Sequence, residues 1–333
     1  GSAPPSQNAT EEFSVPSGVS IAQEGQVWYN TTSTALKGFA LTFGAGTWAT
    51  GGNMNTATQY HAGFGIQTAA VRATGDYTPG SPPLASVKTE EYNGTAWTEV
   101  NNNNTFGDAL AGCGVLTAGM INARSPGALL TESYNGTTWT EVNDMKTPSR
   151  SKRADAGTQG AAVCAGGENH PAVMLDSEEW DGTCWAEGNN LNTGRSTNYG
   201  GMGTQTAAII AGGAPPTNSP LRANAETYDG TCWSEVSDLN TARVYGAGAG
   251  DQNDCLYWGG ITPSVTDITE AYNGTSWTEV GDLGTGVAGT AGGGTQTSAL
   301  TFGGAGPDGA TAQVITEEWT VPSGNETKTF TAS

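Results

Sequence analysis

The sequence predicts an all-β fold, a β-propeller of four-stranded blades, on three observations: a long internal repeat, one hairpin signal per repeat, and a composition without helical periodicity. Tryptophans Trp48, Trp97, Trp139, Trp185, Trp233 and Trp277 are separated by 49, 42, 46, 48 and 44 residues, the spacing of one propeller blade. Glycine supplies 50 of 333 residues and charged residues only 13%, so turns and small packed positions dominate over helix formers.

The clearest repeated unit is Glu90-Glu91-Tyr92-Asn93-Gly94-Thr95-Ala96-Trp97-Thr98-Glu99-Val100, which returns at Glu132 to Val142 and around Trp185, Trp233 and Trp277. Asn-Gly accepts the two positive φ angles of a type I′ turn, so Asn93-Gly94 predicts a two-residue hairpin pairing Tyr92 with Thr95 and Glu90 with Trp97. That register puts Glu90, Tyr92, Thr95, Trp97 and Glu99 on one face, with the aromatics as a layer between blades and the carboxylates near the rim. Upstream lies a second motif, Gly203-Thr204-Gln205-Thr206-Ala207-Ala208-Ile209-Ile210-Ala211-Gly212-Gly213, repeated at Gly294 to Gly304 with variants at Gly157 to Gly167 and Asp251 to Gly260. Its small residues and terminal Gly-Gly predict an inner strand crowded against the ring axis. The link Asn192-Thr193-Gly194-Arg195 or Asn240-Thr241-Ala242-Arg243 leads into a glycine-rich strand such as Tyr245 to Gly250, which completes four strands per unit.

A double glycine ending the second strand, an aromatic on the third and a tryptophan on the fourth resemble the kelch family of β-propellers across residues 46 to 319. The second repeat departs from the pattern, with Ala118-Gly119-Met120 standing in for Gly-Gly. The wording Tyr-Asn-Gly-Thr-x-Trp-Thr-Glu, Asn-Thr-Ala-Arg and Gly-Thr-Gln-Thr-Ala-Ala is similar to kelch-like repeats of marine bacteriophage fibre or virion-surface proteins. Glu24 to Phe39 likewise resembles a hairpin of phage tail-fibre proteins. The resemblance implies a non-enzymatic structural protein of the virion, located at the virion surface or outside the cell, that binds a host-cell surface glycan or protein and other virion proteins. A cellular kelch-type interaction module is the alternative, and a secreted carbohydrate-active enzyme is a more distant one.

Thr10 to Gly18 nearly repeats Thr316 to Gly324, which predicts a ring closed by the two chain ends so that no strand edge is left exposed. Residues 1–25 read as a leading segment and 26–333 as a single propeller domain. Six standard units plus a blade assembled from Gln26 to Thr50 and Thr327 to Ala332 give seven blades as the favoured count. Six, with the Trp48 strand completing the last blade, is the alternative.

A formal net charge of −20, from 32 acidic and 12 basic residues, argues against a nucleic-acid partner. The chain has no apolar run of about 18 residues for membrane insertion, and its first residues carry no signal-peptide pattern. Cys113, Cys164, Cys184, Cys232 and Cys255 form no CxxC pair and read as reduced packing residues. Two histidines, His61 and His170, are too few for a multi-histidine metal site. The adjacent carboxylates Glu90-Glu91, Glu178-Glu179 and Glu317-Glu318 alternate between faces and read as structural rather than as a glycosidase pair. No cofactor is expected. Asp251-Gln252-Asn253-Asp254 offers oxygen ligands to calcium but lacks EF-hand spacing, so a solvated turn is the first reading there.

Binding is expected instead in the irregular segments that follow the second strand of each blade, because loops carry function on a rigid frame. These are Asp76 to Pro83, Asn122 to Gly127, Glu168 to Pro171, Ala214 to Pro220, Ile261 to Ser264 and Ala305 to Gly309. Within them the candidate receptor-binding residues are Asp76, Tyr77, Asn122, Arg124, Glu168, Asn169, His170, Asn218, Thr262 and Asp308.

Overall fold

The computed structural model describes residues 27–30, 35–43, 45–76, 86–107, 111–124, 128–147, 152–169, 172–196, 201–215 and 219–330. The chain divides into two compact units. One, Ala45–Val321, is a β-propeller of six four-stranded antiparallel blades. The other draws on Gly1–Gly44 and Pro322–Ser333 and contains a three-stranded antiparallel sheet in the order Val27–Asn30, Ala35–Phe43, Ser323–Phe330.

Blade 1 comprises Ala62–Ile66, Ala69–Ala73, Thr89–Tyr92 and Trp97–Val100. Blade 2 comprises Ala111–Val115, Ala118–Arg124, Ala128–Tyr134 and Trp139–Val142. Blade 3 comprises Ala154–Thr158, Ala161–Ala165, Ser177–Trp180 and Trp185–Glu187. Blade 4 comprises Gly201–Thr204, Ala207–Ala211, Ala225–Tyr228 and Trp233–Val236. Blade 5 comprises Ala247–Asp251, Asp254–Trp258, Thr269–Tyr272 and Trp277–Glu279. Blade 6 takes Ala291–Thr295, Ser298–Phe302 and Thr316–Thr320 from the end of the unit and Thr47–Thr50 from its beginning. The first strands touch in sequence around the ring, the last meeting the first.

The favoured count of seven blades is therefore corrected to six. Trp48 pairs with Trp319 as the outer strand of blade 6, which closes the ring with one N-terminal strand. The strands within Gln26 to Phe43 and Thr327 to Ala332 pair with each other in the three-stranded sheet and not in a blade. Thr10 to Gly18 lies outside the described residues.

The hairpin register also differs from expectation. Tyr92 pairs with Trp97 and Glu90 with Glu99, so the turn is four residues long, not two. A type I′ turn needs positive φ at both central residues, and in Asn93-Gly94 only Gly94, at 87°, has it. The Asn93 side chain instead accepts the amides of Thr95 and Ala96 at 3.0 and 2.9 Å, the Asx geometry. Lengthening the turn by two residues preserves side-chain parity, so Glu90, Tyr92, Trp97 and Glu99 still share a face while Thr95 sits in the turn.

The aromatic layer between blades is present. Tyr92 and Trp97 stack with centroids 5.1 Å apart, and Trp97 meets Phe302 of blade 6 edge-on at 4.8 Å. Trp97, Trp139, Trp185, Trp233 and Trp277 are all buried. The indole of Trp97 donates to Thr316 Oγ1, that of Trp139 to Thr89 and that of Trp185 to Thr131, each on the preceding blade.

The innermost strand is the first of each blade, not the Ala-Ala-Ile-Ile-Ala strand assigned there from sequence. Glycine is needed on it because strands of neighbouring blades nearly touch: a Cβ on Gly201 would lie 2.1 Å from the Asp155 carbonyl oxygen. The double glycine has a separate use. Gly212 and Gly213 hold φ of 71° and 104°, which aims the Gly213 amide at the Arg243 carbonyl of the next blade at 2.8 Å. Blade 2 lacks this device altogether. Gly119 lies inside its second strand, which runs on to Arg124 and pairs with the third.

Two further contacts recur. The glutamine of the turn after the first strand reaches back to the preceding blade: Gln205 donates to the carbonyls of Ala162 and Trp180 at 3.2 and 2.8 Å. Gln67, Gln159, Gln252 and Gln296 do the same, whereas blade 2 places half-buried Leu116 at that position. The first glutamate of each third strand is buried rather than at the rim, as at Glu90, Glu132, Glu178, Glu226, Glu270 and Glu317. Glu226 accepts the Asn192 amide and its Nδ2 and the Thr193 amide at 2.7, 3.1 and 3.1 Å, and pairs with Arg195 at 2.6 Å.

Removing one partner of a buried ion pair strands the other charge, so Glu226→Ala is expected to destabilise the ring by about 3 to 5 kcal/mol. Trp139→Ala opens a core cavity and is expected to cost about 3 to 5 kcal/mol as well. Urea unfolding followed by fluorescence measures both, and a variant that melts within error of the parent contradicts the role assigned to that residue.

Candidate functional site

The segments after the second strands and the links into the first strands are bridged to one another, at Gln59–Asp76, Ser196–Ala214, Val244–Ile261 and Ala288–Ala305. They form one face of the propeller, the face that the loop argument selects. Adjoining the bridges, Tyr60, Lys152 and Tyr245 carry φ of 53°, 58° and 63°. Left-handed backbone is uncommon for bulky side chains and is held only where surroundings enforce it.

These residues occupy one station, two positions before the first strand, where blade 6 has Gly289 at φ 60°. The Gly289 amide donates to the Tyr245 carbonyl and its carbonyl accepts from the Tyr60 amide, both at 2.8 Å. A Cβ on Gly289 would strike the Tyr60 ring at 2.4 Å. Its absence lets Tyr60 of blade 1 reach across blade 6 to Tyr245 of blade 5, with centroids 5.5 Å apart. Lys152 of blade 3 reaches across blade 4 to the same ring at 6.0 Å and is anchored by Glu168 at 2.7 Å. Contacts that skip a blade can only be made toward the axis, so these side chains converge on the mouth of the central channel. The channel itself is lined mainly by glycines of the six first strands, among them Gly63, Gly112, Gly203, Gly250 and Gly294.

Around this mouth, buried Ala214, Val244, Tyr245 and Ala288 pack with half-buried Tyr60, Leu221, Ile261 and Val265. The result is an apolar and aromatic strip spanning blades 4, 5, 6 and 1. Such a strip, with a paired cation at one end, can receive the flat apolar side of a ligand while polar loop groups fix its orientation.

The sequence-predicted residues are distributed unevenly. Glu168 joins the mouth through Lys152. Asp76 is bridged to Gln59 and buried. Asn169 belongs to a short hairpin, paired with Ala172, and Thr262 to another, paired with Ser264 and half-exposed. Asp308 is exposed, and its carboxylate accepts the Ala310 and Thr311 amides at 3.0 and 2.8 Å and the Thr311 hydroxyl. Those bonds, the hydroxyl's first, lower its pKa to about 2. Tyr77, His170 and Asn218 lie outside the described residues.

Asn122 and Arg124 require correction, because the second strand of blade 2 continues through both. The Asn122 side chain is wholly buried and donates to Asp155 of blade 3, while its Oδ1 accepts from Cys164 Sγ at 3.5 Å. It is a contact between blades, not a loop ligand. Tyr60, Lys152 and Tyr245 escaped sequence reasoning. Their signal was a variable residue at a fixed offset before each glycine-rich strand.

Other candidates for chemistry are committed to the scaffold. His61 is buried against Phe302, with centroids 5.6 Å apart. Burial first, then the Arg72 charge, lowers its pKa to about 3, which keeps the imidazole neutral. In the Asp251–Asp254 turn the two aspartates face each other across the hairpin and Gln252 clamps blade 4. Among the described residues no three His, Cys, Asp or Glu side chains gather as a metal site. All five cysteines are unpaired. Cys113, Cys164 and Cys255 are buried, while Cys184 and Cys232 sit in turns where their thiols donate to Asp181 and Asp229 at 3.7 and 3.5 Å.

Asp155 yields a prediction with a definite sign. Burial is the main cause that raises its pKa from 3.8 to about 6, and its Oδ1 meets no donor. The folded state then holds the proton more tightly than the unfolded chain. Its stabilising effect is complete below about pH 4, declines as pH rises toward 6, and is absent above that. Asp155→Asn is expected to raise stability at pH 7 by on the order of 2 kcal/mol and to flatten the profile between pH 4 and 6. Thermal melts across that range provide the check, and an Asn variant that keeps the parent's slope contradicts the assignment.

No protein-family model matches this chain, and no curated protein matches it.

Proposed function

We propose that the chain is a non-enzymatic virion component of a phage, a kelch-like propeller serving as fibre head or surface decoration, whose loop-bearing face binds a host-cell surface glycan or protein. The observation that carries the binding reading is the convergence of Tyr60, Lys152 and Tyr245, three strained non-glycine residues from separate blades, at the mouth of the axis. Backbone strain repeated at one station and directed to one point is the pattern of a preorganised binding surface.

Support for a phage source is the wording of the repeats and the sequence of Glu24 to Phe39, which resembles that of phage tail-fibre proteins, an analogy from family to role. Support for a non-catalytic role is the use already made of the titratable groups. The repeated glutamates hold links and arginines, and His61 is buried and neutral. The net charge of −20 suits a particle surface without a nucleic-acid partner. Other virion proteins are the second class of partner in this reading. A cellular interaction module would use the same face, and detection of the chain in purified phage particles by mass spectrometry separates the two.

The site is tested by attachment of the purified protein to a panel of whole bacteria and to a glycan array. Tyr60→Ala is expected to lower attachment at least tenfold in a variant that still folds, since the half-buried Tyr60 ring lies on the apolar strip beside Tyr245. Replacing Ala214 to Pro220 and Ile261 to Ser264 by short Gly-Ser turns is expected to do the same. Undiminished attachment by folded variants of both kinds removes this face from the site.

A further inference from the structure

Most described cations of the propeller have partners within it. Arg72, Arg195 and Arg243 pair with buried Glu90, Glu226 and Glu270 at 2.6, 2.6 and 2.7 Å. Lys88 pairs with Glu99 and Lys152 with Glu168, and Arg153 donates to the Cys164 carbonyl and Met145 Sδ. Lys146 is exposed, so water satisfies it.

Arg222 differs from all of these. It is half-buried on the loop-bearing face and its guanidinium forms no hydrogen bond or ion pair among the described residues, while its Nε, like those of Arg72, Arg153 and Arg243, is shielded from solvent and meets no acceptor. Its backbone is fixed on both sides, the amide donating to Gly213 at 2.8 Å and the carbonyl accepting from Arg243 at 3.2 Å. Its charge also presses on Arg195, whose own guanidinium is committed to Glu226. In a chain with 32 acidic residues, a half-desolvated guanidinium on a fixed backbone with no counter-charge among the described residues is costly, and an incoming anion relieves that cost.

We propose that Arg222 reads the carboxylate of an acidic sugar at this face, an inference that rests on the binding reading above. The planar guanidinium fork matches a carboxylate with two parallel hydrogen bonds. Leu221, the preceding residue, packs into the apolar strip with Tyr60, Ile261 and Val265, which offers a surface for the C–H face of a sugar ring. The net charge of −20 opposes dense polyanions, so the fit is to an isolated carboxylate rather than to a polyphosphate.

Calorimetric titration of the full chain with glucuronate, glucose and inorganic phosphate tests this, alongside Arg222→Gln and Glu141→Gln, the latter at an exposed residue on the outermost strand of blade 2. The parent is expected to bind glucuronate at least tenfold more tightly than glucose or phosphate. Arg222→Gln is expected to abolish that preference while melting no lower than the parent, and Glu141→Gln to retain it. Equal affinity for glucuronate and glucose, absence of glucuronate binding, tighter binding of phosphate, or an Arg222→Gln variant that keeps the preference each overturns the assignment. Whole-cell attachment separates this failure from failure of the underlying reading. Attachment by parent and Arg222→Gln alike rejects Arg222 alone, whereas a folded parent that attaches to no cell or glycan rejects the binding face itself.

Discussion

The ring depends on a buried carboxylate in each blade. A glutamate placed in a protein interior is costly unless its charge is met by donors, and here the donors come from the link that brings the chain in from the previous blade. Glu270 accepts from the Asn240 amide and side chain and from Arg243. Glu317 accepts the Gly284 and Thr285 amides at 2.7 and 2.9 Å. The strand, the link and the next blade are thus fixed together at one point, and the link must be ordered for the carboxylate to be satisfied. Where blade 6 has Val287 at the position of Arg243, Glu317 has a raised pKa, chiefly from burial. The link amides alone then carry the carboxylate.

This arrangement explains how one repeat tolerates so many departures. In blade 1 the link offers Thr58 at the arginine position, and Arg72 supplies the charge from the second strand instead. Blade 2 loses both the double glycine and the turn glutamine. It keeps the Trp139 bond to Thr89 and the Tyr134 bond to Glu91 at 2.7 Å, and it gains the Asn122–Asp155 contact on its other side. Each interface has several independent attachments, so the loss of one leaves the ring closed.

The architecture was legible in the sequence because it repeats. Tryptophan spacing, the Asn-Gly turn and the alternation of Glu90, Tyr92, Trp97 and Glu99 each recur, and a recurring error would have had to be made in every blade. What was not legible is instructive. The turn register depends on whether Asn93 spends its side chain or its backbone on the turn, and both choices preserve the same face. The blade count depended on the chain ends, where repetition fails and strand-forming residues on both sides of Trp48 look alike. Asn122 was placed in a loop because Ala118-Gly119-Met120 was read as standing in for the strand-ending Gly-Gly, when the strand begins at Ala118 and continues to Arg124.

The site was less visible for a related reason. Sequence reasoning sought function where the repeat breaks down, in long irregular segments, whereas the structure concentrates its strain inside the repeat. The station two residues before each first strand has left-handed backbone at all four places described, and glycine would satisfy it at lowest cost. Blade 6 does use Gly289, but blades 1, 3 and 5 use Tyr60, Lys152 and Tyr245. The surrounding bonds come from backbone, as from Tyr60 to Gly289 and from Gly289 to Tyr245, so they place no demand on the side chain. A ring held by carboxylates, glutamines and indoles elsewhere therefore leaves the residue at each of the four described stations free to vary, and variation on a fixed frame is what a recognition surface requires.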